Sequence, residues 1–115
     1  MDLFGGELDR NMPLLTAEAV GQALRSAREQ LGLSLAEIAS ETRMAVRHLE
    51  AIEQARFGGF SAPVYALGFA RNYARAVGLP LPWVTDCLRG EIAAFFANRE
   101  RFDLGWIAEG LQRGR

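Results

Sequence analysis

The sequence predicts an all-α protein: a five-helix domain followed by an additional C-terminal helical extension. Three observations carry that prediction. Apolar residues recur at spacings of three and four, and no stretch alternates as a strand would. Helix-start and helix-stop residues bracket each apolar run. Half of the residues are hydrophobic and 23% are charged, which allows a buried core within a chain of 115 residues.

Residues 1–15 show no sustained period and contain Gly5, Gly6, Asn11 and Pro13, the composition of a flexible arm. The first helix is expected to open at Thr16 as N-cap, with Glu18 favourable in its first turn. Val20, Leu24, Ala27 and Leu31 form its apolar stripe, and Gly32 closes it. Ser34 and Glu37 have the spacing of a capping box, which opens a short second helix carrying Leu35, Ile38 and Ala39. The third helix follows at once with Val46, Leu49 and Ile52. Small residues between Phe57 and Ala62 interrupt the pattern. Pro63 then suits the first position of a fourth helix, which runs to Val77 and is closed by Gly78 and Pro80. Val64, Leu67, Ala74 and Val77 read as its buried stripe. A fifth helix is expected from Pro82, holding Trp83, Val84, Cys87 and Leu88, with a break at Gly90. Beyond it, Ile92, Phe95 and Phe96 suggest a further helix, and Asp103 a cap for a last one with Leu104, Ile107 and Leu111. The expected division is therefore an arm at 1–15, a domain at 16–90 and a helical extension at 91–115 for dimerisation or partner docking.

Composition excludes several classes. The longest apolar run around the aromatic residues, Ile92–Ala97, is far short of the roughly 20 residues needed to span a bilayer. The acidic N-terminus lacks the basic start and apolar stretch of a secretory signal. A single cysteine, Cys87, excludes an internal disulfide and suits a reducing cytoplasm. One histidine and one cysteine leave no metal site built from several such ligands, and no cofactor is expected. Gly58-Gly59 lacks the lysine and preceding strand of a phosphate loop. Nothing places a nucleophile beside a base, so the expectation is a binding protein and not an enzyme. All 13 basic residues are arginines, a bias that a GC-rich genome also produces. The net charge of −1 means that any nucleic-acid binding must rest on a local basic patch.

Two short helices joined by three or four residues, braced by an earlier helix, have the layout of a helix-turn-helix unit. The segment LRSAREQLGLSLAEIASETRMAVRHLEAIEQARF resembles the Cro- and phage-repressor-type (Xre-like) helix-turn-helix superfamily, with its lambda-repressor-like fold. The continuation PVYALGFARNYARAVGLP narrows the resemblance to the cytoplasmic helix-turn-helix domain of RodZ-type proteins. That resemblance covers residues 19–85. It implies one of two roles: a free-standing transcriptional regulator, or an adaptor binding the actin-like filament protein MreB. A weaker resemblance is to regulators of phage-like or gene-transfer-agent genes. The absence of a membrane span is the main departure from RodZ.

The superfamily resemblance places Ala45, Val46, Arg47, His48, Glu50 and Ala51 toward a DNA groove. Arg43 is a further candidate contact, and Arg56 and Arg71, from a locally basic stretch, read as phosphate contacts or equally as helix-end caps or partners of neighbouring glutamates. Arg47 suits a guanine or phosphate fork and His48 a donor to base or phosphate. Leu49 and Ile52 point into the core. Against DNA, residues 16–53 hold four arginines and six glutamates, and Leu35 stands where many DNA-binding relatives place glutamine. Residues 54–85 hold Arg56, Arg71 and Arg75 and no acid. Tyr73 reads as core; Tyr65 and Phe69, which match the aromatic positions of the RodZ–MreB contact, read equally as core or as interface anchors. Phe95, Phe96 and Trp106 are candidate partner contacts on the extension, against the alternative that it folds back as extra core. The expected function is a cytoplasmic helix-turn-helix regulator binding promoter DNA with a protein partner, a homodimer being one arrangement. The alternatives are a RodZ-like adaptor and an activator subunit docking on RNA polymerase or a sigma-like factor.

Overall fold

The computed structural model describes residues 13–113, with the side chains of 100–113 left aside. Among the described residues there are five helices and no strand: α1 (Ala17–Gln30), α2 (Leu35–Thr42), α3 (Val46–Glu53), α4 (Pro63–Val77) and α5 (Leu81–Arg113). The local signals act as expected. Thr16 Oγ1 accepts from the Ala19 amide, satisfying one orphan donor of α1. Ser34 and Glu37 complete the reciprocal capping box of α2. Pro63 begins α4, and Gly78 ends it at φ +82°, a left-handed conformation that costs glycine nothing.

The core is contiguous. Val20, Leu24 and Ala27 of α1, Ile38 of α2, and Leu49 and Ile52 of α3 close over Ala66, Ala70, Tyr73 and Ala74 of α4. The most extensive packing joins α4 to α5. Three stripe residues sit outside this core: Leu31, Val46 and Val64 are exposed, Val64 at 69%. Leu31 is the C-cap of α1, beyond the last packed turn, and Val64 lies in the first turn of α4 on its outer side. Phe57 and Phe60, in the interrupting segment, are by contrast buried.

Helix α5 corrects the expected boundary. It does not break at Gly90, nor is Asp103 a new cap; one helix runs from Leu81 to Arg113. Val84, Leu88, Ile92 and Phe96 recur every four residues and are all buried, so packing on both sides of Gly90 outweighs its propensity cost of about 1 kcal/mol. Glu91, assigned to the extension, accepts from the Ala17 amide and so caps α1. The arm is also shorter than expected. Pro13 O accepts from Trp83 Nε1 at 3.0 Å and the Leu15 amide donates to Cys87 Sγ at 3.3 Å, fixing residues 13–15 to α5. Residues 1–12 lie outside the described residues. Among the described residues, no helix is long and apolar enough to cross a membrane.

Candidate functional site

A three-residue turn, Arg43–Ala45, joins α2 to α3. It reverses tightly because Arg43 adopts a left-handed conformation, φ +59°, with its amide donating to Ala39 O. Ala45 then enters α3 as an N-cap without a side-chain bond. Leu49 and Ile52 anchor α3 inward, as expected, which turns Val46, Arg47 and Glu50 to the outside. Ala45 and Ala51 are half-buried at its edges. Arg43, Arg47, Arg56 and Arg71 are exposed and, among the described residues, make no ion pair.

Two glutamates in the adverse charge count are engaged elsewhere. Glu53 meets Arg28 at 2.9 Å, with only 9% and 11% of the two side chains exposed, and Tyr73 Oη donates to the same carboxylate. Arg28 also donates to Leu33 O and to Tyr73 Oη, at 3.0 and 3.1 Å. This network ties α1, α3 and α4 together. Its hydrogen bond to Glu53 holds the Arg28 pKa above its ordinary value, and burial pushes the Tyr73 phenol well above its own. Glu29 pairs with Arg25 on the surface. The network leaves Arg43 and Arg47 with Glu50 as the charged groups flanking the exposed side of α3.

His48 is not one of the freely presented residues. Its imidazole lies 5.0 Å from the Phe60 ring and 5.3 Å from the Phe69 ring, and those two rings meet edge to face at 5.6 Å. Half-buried there, His48 forms a wall of an open groove of about 340 Å³ together with Gly59, Phe60, Ser61, Tyr65 and Phe69. Tyr65 is 54% exposed at the rim, whereas Phe69 is half-buried below it and packs against the core, so the pair divides between surface and core. Phe60 is the member that sequence reasoning missed, because its neighbours are glycine, serine and alanine. Tyr73 is fully buried, as expected.

On α5 the candidate partner residues divide. Phe96 is buried at 6% exposure and belongs to the core, which corrects its reading as a docking residue. Phe95 is 37% exposed but leans edge to face on buried Phe57 and on Phe96. The Trp106 side chain lies outside the described residues. Cys87 is buried, and desolvation pushes its thiol pKa up, as suits an inert packing residue.

An eight-residue helix turned outward after a tight turn, braced by α1 and α4, defines a domain of the helix-turn-helix class. Residues 23–81, just over half of the chain, match the family model described as "Helix-turn-helix domain", and the chain belongs to that family. It is similar to the "Cytoskeleton protein RodZ" of Streptococcus pneumoniae (strain ATCC BAA-255 / R6), 37% identical over 75 residues. That alignment covers 65% of this chain and 27% of the relative, so the chain spans well under half of the relative's length. No solved structure matches the chain.

Proposed function

We propose that the chain is a helix-turn-helix regulator, a binding protein and not an enzyme, that grips double-stranded DNA through α3. The carrying observation is the exposed face of α3, which no other described element covers and at whose N-terminal end Arg43 and Arg47 stand unpaired. N-terminal residues of a recognition helix are the ones that reach base edges. Burial of Glu53 in the Arg28–Tyr73 network supports the reading by removing one acid from that face. Arg56 and Arg71 are phosphate contacts in this reading, supplying affinity without sequence preference. Replacing Arg47 by alanine should cost about 1–3 kcal/mol on a specific site and relax preference there. Replacing Arg71 should weaken all duplexes alike and flatten the salt dependence. Mobility shifts with genomic fragments at low salt test both, beside chromatin immunoprecipitation. No shifted fragment together with no enriched site refutes DNA binding.

The aromatic groove favours a second reading, a docking surface for a protein partner. Tyr65 and Phe69 lie one turn apart and converge on one cavity, the arrangement of interface anchors. The similarity to a protein named for the cytoskeleton supports an adaptor whose partner is an actin-like filament. Pull-down with purified filament protein, comparing wild type with Tyr65→Ala, tests it; equal capture by both refutes the groove as the contact.

A further inference from the structure

Leu49 and Ile52 hold one side of α3 in the core. At about 100° per residue, the opposite side belongs to Val46, Arg47, Glu50 and Ala51. Both flanks of that face are occupied. Glu53 is held by Arg28 and Tyr73, and the His48 ring lies against Phe60 and Phe69. Val46 and Ala51 offer only methyl groups. Within α3, the polar side chains left to meet base edges are therefore Arg47 and Glu50. Both are exposed and, among the described residues, neither makes an ion pair. They stand three residues apart, as neighbours on one face, with about 4.5 Å of helix rise between them. Stacked base pairs are about 3.4 Å apart, so the two side chains address adjacent pairs.

We propose that Glu50 is a specificity-determining residue, accepting a hydrogen bond from the N4 amino group of a cytosine beside the base pair that Arg47 reads. The inference rests on the DNA-binding reading above. An ionised carboxylate can only accept, so it needs a base edge that donates. In the major groove cytosine presents its amino group without an acceptor beside it. Adenine couples its amino group to the N7 lone pair, whereas thymine O4 and guanine O6 and N7 present lone pairs alone. Arg47 is the complement, with five donors and no acceptor, and suits guanine O6 and N7. Together they select two neighbouring G·C pairs, one read through its guanine and the other through its cytosine. The carboxylate also repels phosphate, so it weakens binding to every duplex that lacks the cytosine. An acid that counts against non-specific affinity thus becomes the element that rejects wrong sites.

The test is selection of duplexes from a randomised library by the full chain at low salt. Fluorescence-anisotropy titrations of the preferred duplex follow, with each base pair replaced in turn. Wild type should select adjacent G·C pairs and lose about 5- to 10-fold when the cytosine pair is replaced, the lower end of what one base-edge contact discriminates. Glu50→Ala should bind both duplexes alike, and at least as tightly as wild type binds the replaced one. Glu50→Gln, whose amide both donates and accepts, should move the preference at that pair to adenine. A purely structural role for Glu50 would produce no such switch. A cytosine preference that survives Glu50→Ala would overturn the proposal and spare the DNA reading. Duplex binding without sequence preference, or with no cytosine selected, would do the same. Failure to bind any duplex in the library would overturn the DNA reading and, with it, this proposal.

Discussion

Gly21 lies in the middle of α1, where helix propensity alone favours alanine by about 1 kcal/mol. A Cβ built at Gly21 would stand 2.3 Å from Glu53 O and 2.7 Å from Ile52 O, the backbone end of α3. Neither atom is the free end of a side chain, so α1 and α3 must separate by about 1 Å to restore ordinary contact. Leu24, Leu49 and Ile52 share that interface, and a gap of that size forfeits about a quarter to a half of each affected contact. Overpacking of this kind costs about 1–3 kcal/mol or more, and Glu53 is drawn out of line with Arg28 and Tyr73 besides. We expect Gly21→Ala to lose about 2 kcal/mol net, which for a domain of this size lowers Tm by about 10 °C. Gly68 and Gly90 are the internal controls. They also lie inside helices, yet a Cβ at either meets nothing within 4 Å. Each alanine there should raise Tm by a few degrees through propensity alone. Thermal melts by circular dichroism decide the matter. If Gly21→Ala melts at or above wild type, like the two controls, the close approach of α1 to α3 is not as described.

The Arg28–Glu53–Tyr73 network predicts an alkaline loss of stability. The fold raises the Tyr73 pKa, so the native state holds a proton that the unfolded chain releases, and stability falls as pH climbs past the ordinary tyrosine value of 10.0. Tyr73→Phe should flatten that alkaline limb in urea titrations, whereas Glu53→Ala should cost about 3–5 kcal/mol near neutrality by stranding a buried guanidinium; an unchanged alkaline limb would refute the assignment. Thr85 is buried at 7% exposure and its hydroxyl has no partner among the described residues. Thr85→Val keeps the shape and should add about 1–2 kcal/mol, read as a higher urea midpoint; a lower midpoint would show the hydroxyl to be bonded.

Local chemistry was legible in the sequence because it acts over three or four residues. Thr16, the Ser34–Glu37 box, Pro63 and Gly78 each do what their position implies. Contacts made across the fold carried no such signal. Glu53 lies 25 residues from Arg28 and 20 from Tyr73, and no spacing rule joins them. Nothing in the sequence marks Gly21, because only the arrival of α3 makes its missing side chain necessary. His48 was assigned to a DNA-facing surface since its neighbours Phe60 and Phe69 come from other elements. The continuity of α5 was legible but misread. Val84, Leu88, Ile92 and Phe96 keep one four-residue step through Gly90, and that step outweighs a single glycine.

The same four residues decide where the domain ends. A boundary at Gly90 would leave Ile92 and Phe96 uncovered and the Ala17 amide without the Glu91 carboxylate. It would also loosen the seat of Phe95 on Phe57. Phe57 begins the segment that carries Phe60 to the groove, so the first turns beyond Gly90 support the floor on which His48 and Phe69 rest. What was read as an appended helix is thus, as far as Phe96, part of the scaffold that shapes the candidate site. Cutting the chain at Gly90 would therefore disturb groove and α3 together, and only a cut beyond Phe96 separates what the helical extension contributes from what the domain needs to fold.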